Sequence, residues 1–356
     1  MSPRSSTLIA RRMAICYGIG SEVSPQRQEP LTRVGLLIDF ELSQRAYEDQ
    51  TSPFISSELL VQKKKQVLHQ PSVYVMGGGP WKKEKTRDLV RQALITGFRG
   101  VDTAAQPKHY REDLVGQGIG DAMKEVGIKR HDLYIQTKYT SVNGQDPAKM
   151  PYDATASITE QVHASVASSL QHLASTAESP EEAYMDCLVL HSPLPTQSQT
   201  REAWQAMESH VPKQVRSLGI SNIYQLPALM ALYDLASIKP TVVQNRFYSA
   251  TGYDRDIRAF CRERGMIYQS FWTLTGNPDL LRSPPVRHVA ACLGVTAPVA
   301  LYGLVLGLDG ISILDGTTNP EHMKADLDGV ETVQLWLRGS DQKQAAVLTA
   351  FNALLE

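Results

Sequence analysis

Cysteine is scarce in this chain: Cys16, Cys187, Cys261 and Cys292 lie far apart, in no CxxC or zinc-type spacing. That argues against a disulfide framework or a structural zinc site, and fits buried thiols in a reducing compartment. A surplus of charge of either sign is missing too. The formal net charge is -1, which speaks against broad nucleic-acid binding and against a polybasic membrane surface. No uninterrupted apolar run reaches about 18 residues, so no membrane span is expected. What is present is length, 356 residues, of which 42% are hydrophobic. That suits one large soluble domain, or one domain plus an extension.

Acids are absent before Glu22, where MSPRSSTLIARRMAICYGIGS carries three arginines and several serines. The composition resembles a mitochondrial transit peptide. A loosely attached or disordered extension accounts better for residues 1–70, because LTRVGLLIDFELSQRAYEDQ runs on well past a transit peptide. The expected organisation is therefore an extension over 1–70, a main domain over 71–340 and a helical tail over 341–356, in a cytoplasmic protein with a mitochondrial address as the alternative.

From residue 72 onward, short apolar runs alternate with segments of helical spacing. SVYVMGG, FRGVDTA, DLYIQTK, MDCLVLH, QVRSLGIS, TVVQNRF, GMIYQSF and GISILDG read as strands. Strict strand–helix alternation implies a parallel sheet, and eight such units predict an α/β fold of the (β/α)8 TIM-barrel type. VRHVAACLG is an extra helical piece between the seventh strand and its helix. Chemistry in such a barrel sits where strands end. Here the second strand ends on Asp102 with Tyr110 in the loop that follows, the third on Lys138 and the fourth on His191. Each alone has an ordinary explanation; together they share one rim.

At these residues the sequence resembles the aldo-keto reductase superfamily. VDTA, QTK, LHSP, GISN at 219–222, VVQN at 242–245 and TTNPEHM at 317–323 carry the resemblance, over roughly residues 72–335. It implies an Asp, Tyr, Lys and His tetrad, here Asp102, Tyr110, Lys138 and His191. Tyr110 would be the general acid that protonates a carbonyl oxygen as hydride arrives from a nicotinamide cofactor. Asp102 would hold Lys138, whose ammonium is expected to lower the tyrosine pKa, and His191 would orient the carbonyl. The family usually places its tyrosine five residues after the aspartate, where this chain has Pro107. The resemblance further implies that Ser221, Asn222 and Gln244 hold the nicotinamide amide and that Phe271 stacks on its ring. Gly316, Thr317 and His322 stand where relatives grip a 2'-phosphate with a lysine and an arginine. NADP(H) is the expected cofactor, with NAD(H) or dual use open because that clamp is depleted; Lys324 could help a weaker phosphate site. After Asn319, Pro320 should open a helix whose free N–H groups face phosphate. Trp81, after the first strand, is a candidate for the substrate pocket.

Two other motifs mislead. Tyr134 and Lys138 have the YxxxK spacing of short-chain dehydrogenases, but they read as strand. GQGIG at 116–120 looks like a dinucleotide loop but lies within an amphipathic helix. The expectation is an NAD(P)H-dependent carbonyl reductase acting on a small aldehyde or ketone, with no metal, nucleic acid or membrane partner. The rival is a non-catalytic cofactor-sensing regulatory protein on the same barrel; a lyase or isomerase is a weaker third.

Overall fold

Short strands buried on both faces leave few ways to satisfy their edges, and a closed barrel leaves none open. In a computed structural model of the chain, which describes residues 73–76, 83–177, 179, 182–339 and 341–356, eight parallel strands close in chain order. They are β1 (Val73–Met76), β2 (Gly100–Asp102), β3 (Tyr134–Tyr139), β4 (Met185–Leu190), β5 (Val215–Ser221), β6 (Val242–Arg246), β7 (Ile267–Phe271) and β8 (Ile311–Asp315). The last pairs with the first, Val75 opposite Asp315. The expected extension over 1–70 and Trp81 both lie outside the described residues.

The surrounding helices are α1 (Thr86–Thr96), α2 (Glu112–Val126), α3 (Ile158–His172), α4 (Gln197–Glu208), α5 (Leu226–Leu235) and α6 (Arg255–Glu263). Then come α7 (Pro278–Arg282), α8 (Pro284–Leu293), α9 (Ala297–Leu306), α10 (Pro320–Leu337) and α11 (Gln342–Asn352). Their ends follow local chemistry. Ser157 and Glu160 form a reciprocal capping box on α3, and Thr196 with Gln199 does so on α4. Gly127 takes the left-handed conformation that closes α2.

Two apolar clusters result among the described residues. The larger lies between strands and helices, with Trp204, Phe98, Ile135 and Leu218 buried there. The smaller fills the lumen with Tyr134, Cys187, Val189, Val242 and Leu314. Inward-facing residues alternate along each strand, so Lys138, Gln136 and Tyr134 share the lumen face of β3.

The GQGIG stretch belongs to α2, and its glycines are a packing surface. A Cβ on Gly116 would stand 1.9 Å from the His172 carbonyl oxygen, and one on Gly118 would stand 2.5 Å from that of Arg87. The helix therefore lies against its neighbours at backbone distance. YxxxK is likewise resolved: Tyr134 and Lys138 both lie in β3.

Candidate active site

An isolated carboxylate at a strand end inside a protein is costly, and a lone ammonium equally so. Asp102, the last residue of β2, is fully buried, and Lys138 on β3 is nearly so. Lys138 Nζ donates to Asp102 Oδ2 at 2.6 Å and to the Thr103 carbonyl at 2.8 Å. The other carboxylate oxygen, Oδ1, accepts from Gln136 Nε2 at 2.6 Å and from Gln244 Nε2 at 2.9 Å. Gln269 completes the layer: its Oε1 accepts from both of those amides at 2.7 and 2.9 Å, and its Nε2 donates to Gln136 Oε1 at 3.1 Å. One ion pair and three amides thus bridge β2, β3, β6 and β7 across the barrel.

Above this layer stand the other two members of the expected tetrad. Tyr110 lies at the mouth, the residue partly exposed but its phenol surrounded by protein, its ring centroid 5.4 Å from Lys138 Nζ and 6.2 Å from the His191 ring. The eight-residue offset from Asp102 is absorbed by a turn in which the N–H groups of His109 and Tyr110 both donate to the Gln106 carbonyl. His191 follows β4 directly, and its N–H donates to the Tyr139 carbonyl at 2.9 Å. Its Nδ1 meets Thr140 Oγ1 at 2.6 Å, a partner of the kind that fixes an imidazole's orientation. The four residues expected to form a tetrad come together.

The electrostatics differ from expectation at the phenol. Burial, with the Asp102 charge second, pushes the Tyr110 pKa above its ordinary value. The net shift is thus opposite to the expected lowering, because loss of water around a phenolate dominates and the Asp102 charge adds to it. Tyr110 is accordingly held as the protonated acid. His191 is pushed down to about 3 by burial and then by the charge of Lys138. An imidazole so shifted is neutral at physiological pH.

Around the β5, β6 and β7 ends lie the residues expected to meet a cofactor. Ser221 Oγ donates to the Gln244 carbonyl at 2.7 Å. Asn222, in the left-handed region at φ 54, donates through Nδ2 to the His191 carbonyl at 2.9 Å and to Ser221 Oγ at 3.1 Å. Its Oδ1 accepts from Tyr224 OH at 3.1 Å. The Gln244 amide is turned into the lumen toward Asp102 and Gln269, so a carboxamide would have to draw it away from them. Phe271 ends β7 and packs on the lumen cluster.

The turn from β8 to α10 carries few cations. Gly316 has no side chain and His322 is exposed. Lys324 is paired with Asp328 at 2.6 Å. The first turn of α10 carries Glu321, whose N–H is already taken by Asn319 Oδ1 at 2.8 Å. The cap therefore takes one of the N–H groups expected to be free there.

Sequence reasoning missed Gln136, Gln269, Thr140 and Arg246. The signal for the first two was period-2 spacing from Lys138 and Phe271 on the same strands. Arg246 sits two residues beyond Gln244 on the same face of β6, opposite Phe271 in register. Its guanidinium carbon lies 3.9 Å from the Trp272 ring centroid, and its Nε is buried with no hydrogen-bond partner. Away from the mouth, a groove of about 190 Å³ between α4 and α5 is lined by Leu194, Trp204, Ile223 and Leu232; it contains none of the tetrad.

The chain matches a family model described as the Aldo/keto reductase family over residues 74–277. It is 29% identical over 204 residues to the uncharacterized oxidoreductase YtbE of Bacillus subtilis (strain 168), covering 57% of this chain and 63% of that protein. It is 28% identical over 257 residues to the methylglyoxal reductase DkgA of Escherichia coli (strain K12), covering 71% of this chain and 82% of that one. Among solved structures, an aldo/keto reductase from Brucella melitensis superposes with a TM-score of 0.59 at 19% identity, over 79% of this chain and 95% of that one.

Proposed function

The chain belongs to the aldo/keto reductase family of oxidoreductases, and on that premise we propose that it reduces a small aldehyde or ketone with a nicotinamide dinucleotide. The observation that carries this reading is the buried Lys138–Asp102 pair beneath Tyr110 and His191 at one mouth. A protein that only bound a ligand would have no need of a buried ion pair supporting a protonated phenol.

The site fits such a cofactor on its own features. Asn222 is locked at the rim, Phe271 offers a ring face, and Arg246 Nε is buried without a partner. Ser221, Asn222, Gln244 and Phe271 are the residues that would hold the nicotinamide end, with Thr317 and His322 toward the adenosine. When bound, the reduced cofactor supplies hydride. The chain's own work is proton supply and orientation. Tyr110 holds its proton near the place of the carbonyl oxygen and releases it as negative charge develops there. Lys138, fixed by Asp102, lies close enough to stabilise the phenolate left behind. Neutral His191 donates or accepts a hydrogen bond at the same oxygen, oriented by Thr140.

The β8–α10 turn supports weak discrimination at the 2'-phosphate. No arginine fork stands at Gly316 or His322, and Lys324 is engaged. NADH and NADPH should both serve, within about tenfold of each other, since only about one charge-assisted contact separates them. The methylglyoxal reductase among the relatives makes 2-oxoaldehydes a reasonable first substrate class.

The test is cofactor oxidation followed by absorbance with 4-nitrobenzaldehyde and with methylglyoxal, using NADH and NADPH in parallel. Turnover is expected. Tyr110→Phe should lower kcat by roughly 10²- to 10⁴-fold while leaving cofactor affinity intact. Dinucleotide binding without any turnover would replace this reading with cofactor sensing.

A further inference from the structure

Arg246 ends β6 on the lumen face, one step nearer the mouth than Gln244. The guanidinium is walled by aromatic rings: Trp272 at 3.9 Å, Tyr248 at 5.3 Å and Phe271 at 5.8 Å from its central carbon. Among the described residues it has no carboxylate partner, and its Nε is buried with no hydrogen bond. Its aromatic wall fixes the plane and offsets part of the desolvation, but supplies no acceptor for the buried Nε–H. Trp272 is itself held at φ 59 with half its surface exposed. For a bulky residue that backbone conformation is strained and persists only when its surroundings demand it. A guanidinium so oriented, with its Nε unmet and no carboxylate partner among the described residues, is suited to an oxyanion, and the planar fork suits phosphate.

Location separates the possible oxyanions. Arg246 stands among Ser221, Asn222 and Phe271, on the strand that faces β2 and its Asp102 across the barrel. A substrate carboxylate bonded to a carbonyl held at Tyr110 belongs on the tetrad side. The β8–α10 turn, where a 2'-phosphate is expected, belongs to a different strand end. We infer that Arg246 binds the diphosphate shared by NADH and NADPH, an inference that rests on the carbonyl-reductase function proposed for the same site. Arg246 thereby supplies the phosphate affinity that Gly316 and His322 do not, and it does so without discriminating between the two cofactors.

The experiment is isothermal titration of the full chain, the Arg246→Gln variant and the Arg246→Lys variant with ADP-ribose, NADH and NADPH. Circular dichroism would establish that each variant is folded. Loss of the charged fork should weaken all three ligands by a common factor of roughly ten- to a hundredfold, with Arg246→Lys between. ADP-ribose lacks the nicotinamide, so an equal loss there locates the contact on the diphosphate. Should the Gln variant fail to fold, Arg246→Lys decides by the same comparison. Unchanged affinity in a folded variant would overturn the inference. So would unchanged dinucleotide affinity with a weakened Michaelis constant for a carboxylate-bearing benzaldehyde alone, plain benzaldehyde being unaffected; that would assign Arg246 to a substrate carboxylate. A parent chain that bound none of the three ligands would remove the carbonyl-reductase function first and this inference with it.

Discussion

At the scale of single residues, Asp102 is the hinge of the site. It receives one ammonium and two amides, from strands as far apart in sequence as β3 and β6. Removing its charge while keeping its shape separates two roles. Asp102→Asn leaves Lys138 buried without a counter-charge, and breaking one side of such a pair costs about 3–5 kcal/mol. The variant should therefore be less stable in urea titration, and its turnover should fall because Lys138 is no longer held. If stability and turnover both match the parent, the pair is not the support proposed here. That Asp102 and Lys138 share a rim was readable from strand ends, and their pairing from the family resemblance. That Tyr110 would be raised in pKa was not, since burial is a property of the packed mouth and not of the DTAAQPKHY stretch.

At the scale of elements, α2 shows how a misleading motif acquires its meaning. Gly116→Ala would gain about 1 kcal/mol of helix propensity. It would also drive a methyl group to 1.9 Å from the backbone oxygen of His172. That atom is backbone at the end of α3 and cannot rotate away, so the steric term wins. The variant should lose about 1–3 kcal/mol or more in denaturant unfolding; neutral or increased stability would show that α2 and α3 are less closely packed than that distance implies. The sequence placed GQGIG on a helix, yet the reason for glycine lies wholly in the neighbouring helices.

Across the whole molecule, two buried groups pull stability in opposite directions with pH. His191 stays neutral in the fold down to about 3. Through this group, stability is lost as pH falls below the ordinary histidine value of 6.5, where only the unfolded chain takes up the proton. Asp326 on α10 is pushed up to about 7 by burial and by Asp315 at the end of β8. It keeps a proton that the unfolded chain has released above 3.8, so its effect is a loss of stability as pH rises toward 7. Between these limits the two contributions oppose each other. Asp326→Asn removes the second, so the variant should gain on the parent in Tm as pH is raised from about 4 to 7. A pH-independent difference between the two would sink this account.

The barrel was legible in the order of residues, because strand and helix periods are local and eight repeats of one unit close in only a few ways. So was the set of residues on the rim, because a strand's last residue is readable from its apolar run. What those residues meet came from packing in three dimensions. Gln136 and Gln269 are 133 positions apart and join only through the register of strands around the barrel. Arg246 became distinctive only when its aromatic wall and its lack of an acceptor were visible. Period and polarity are carried by neighbours in the chain, whereas burial, partnership and pKa are set by neighbours in space.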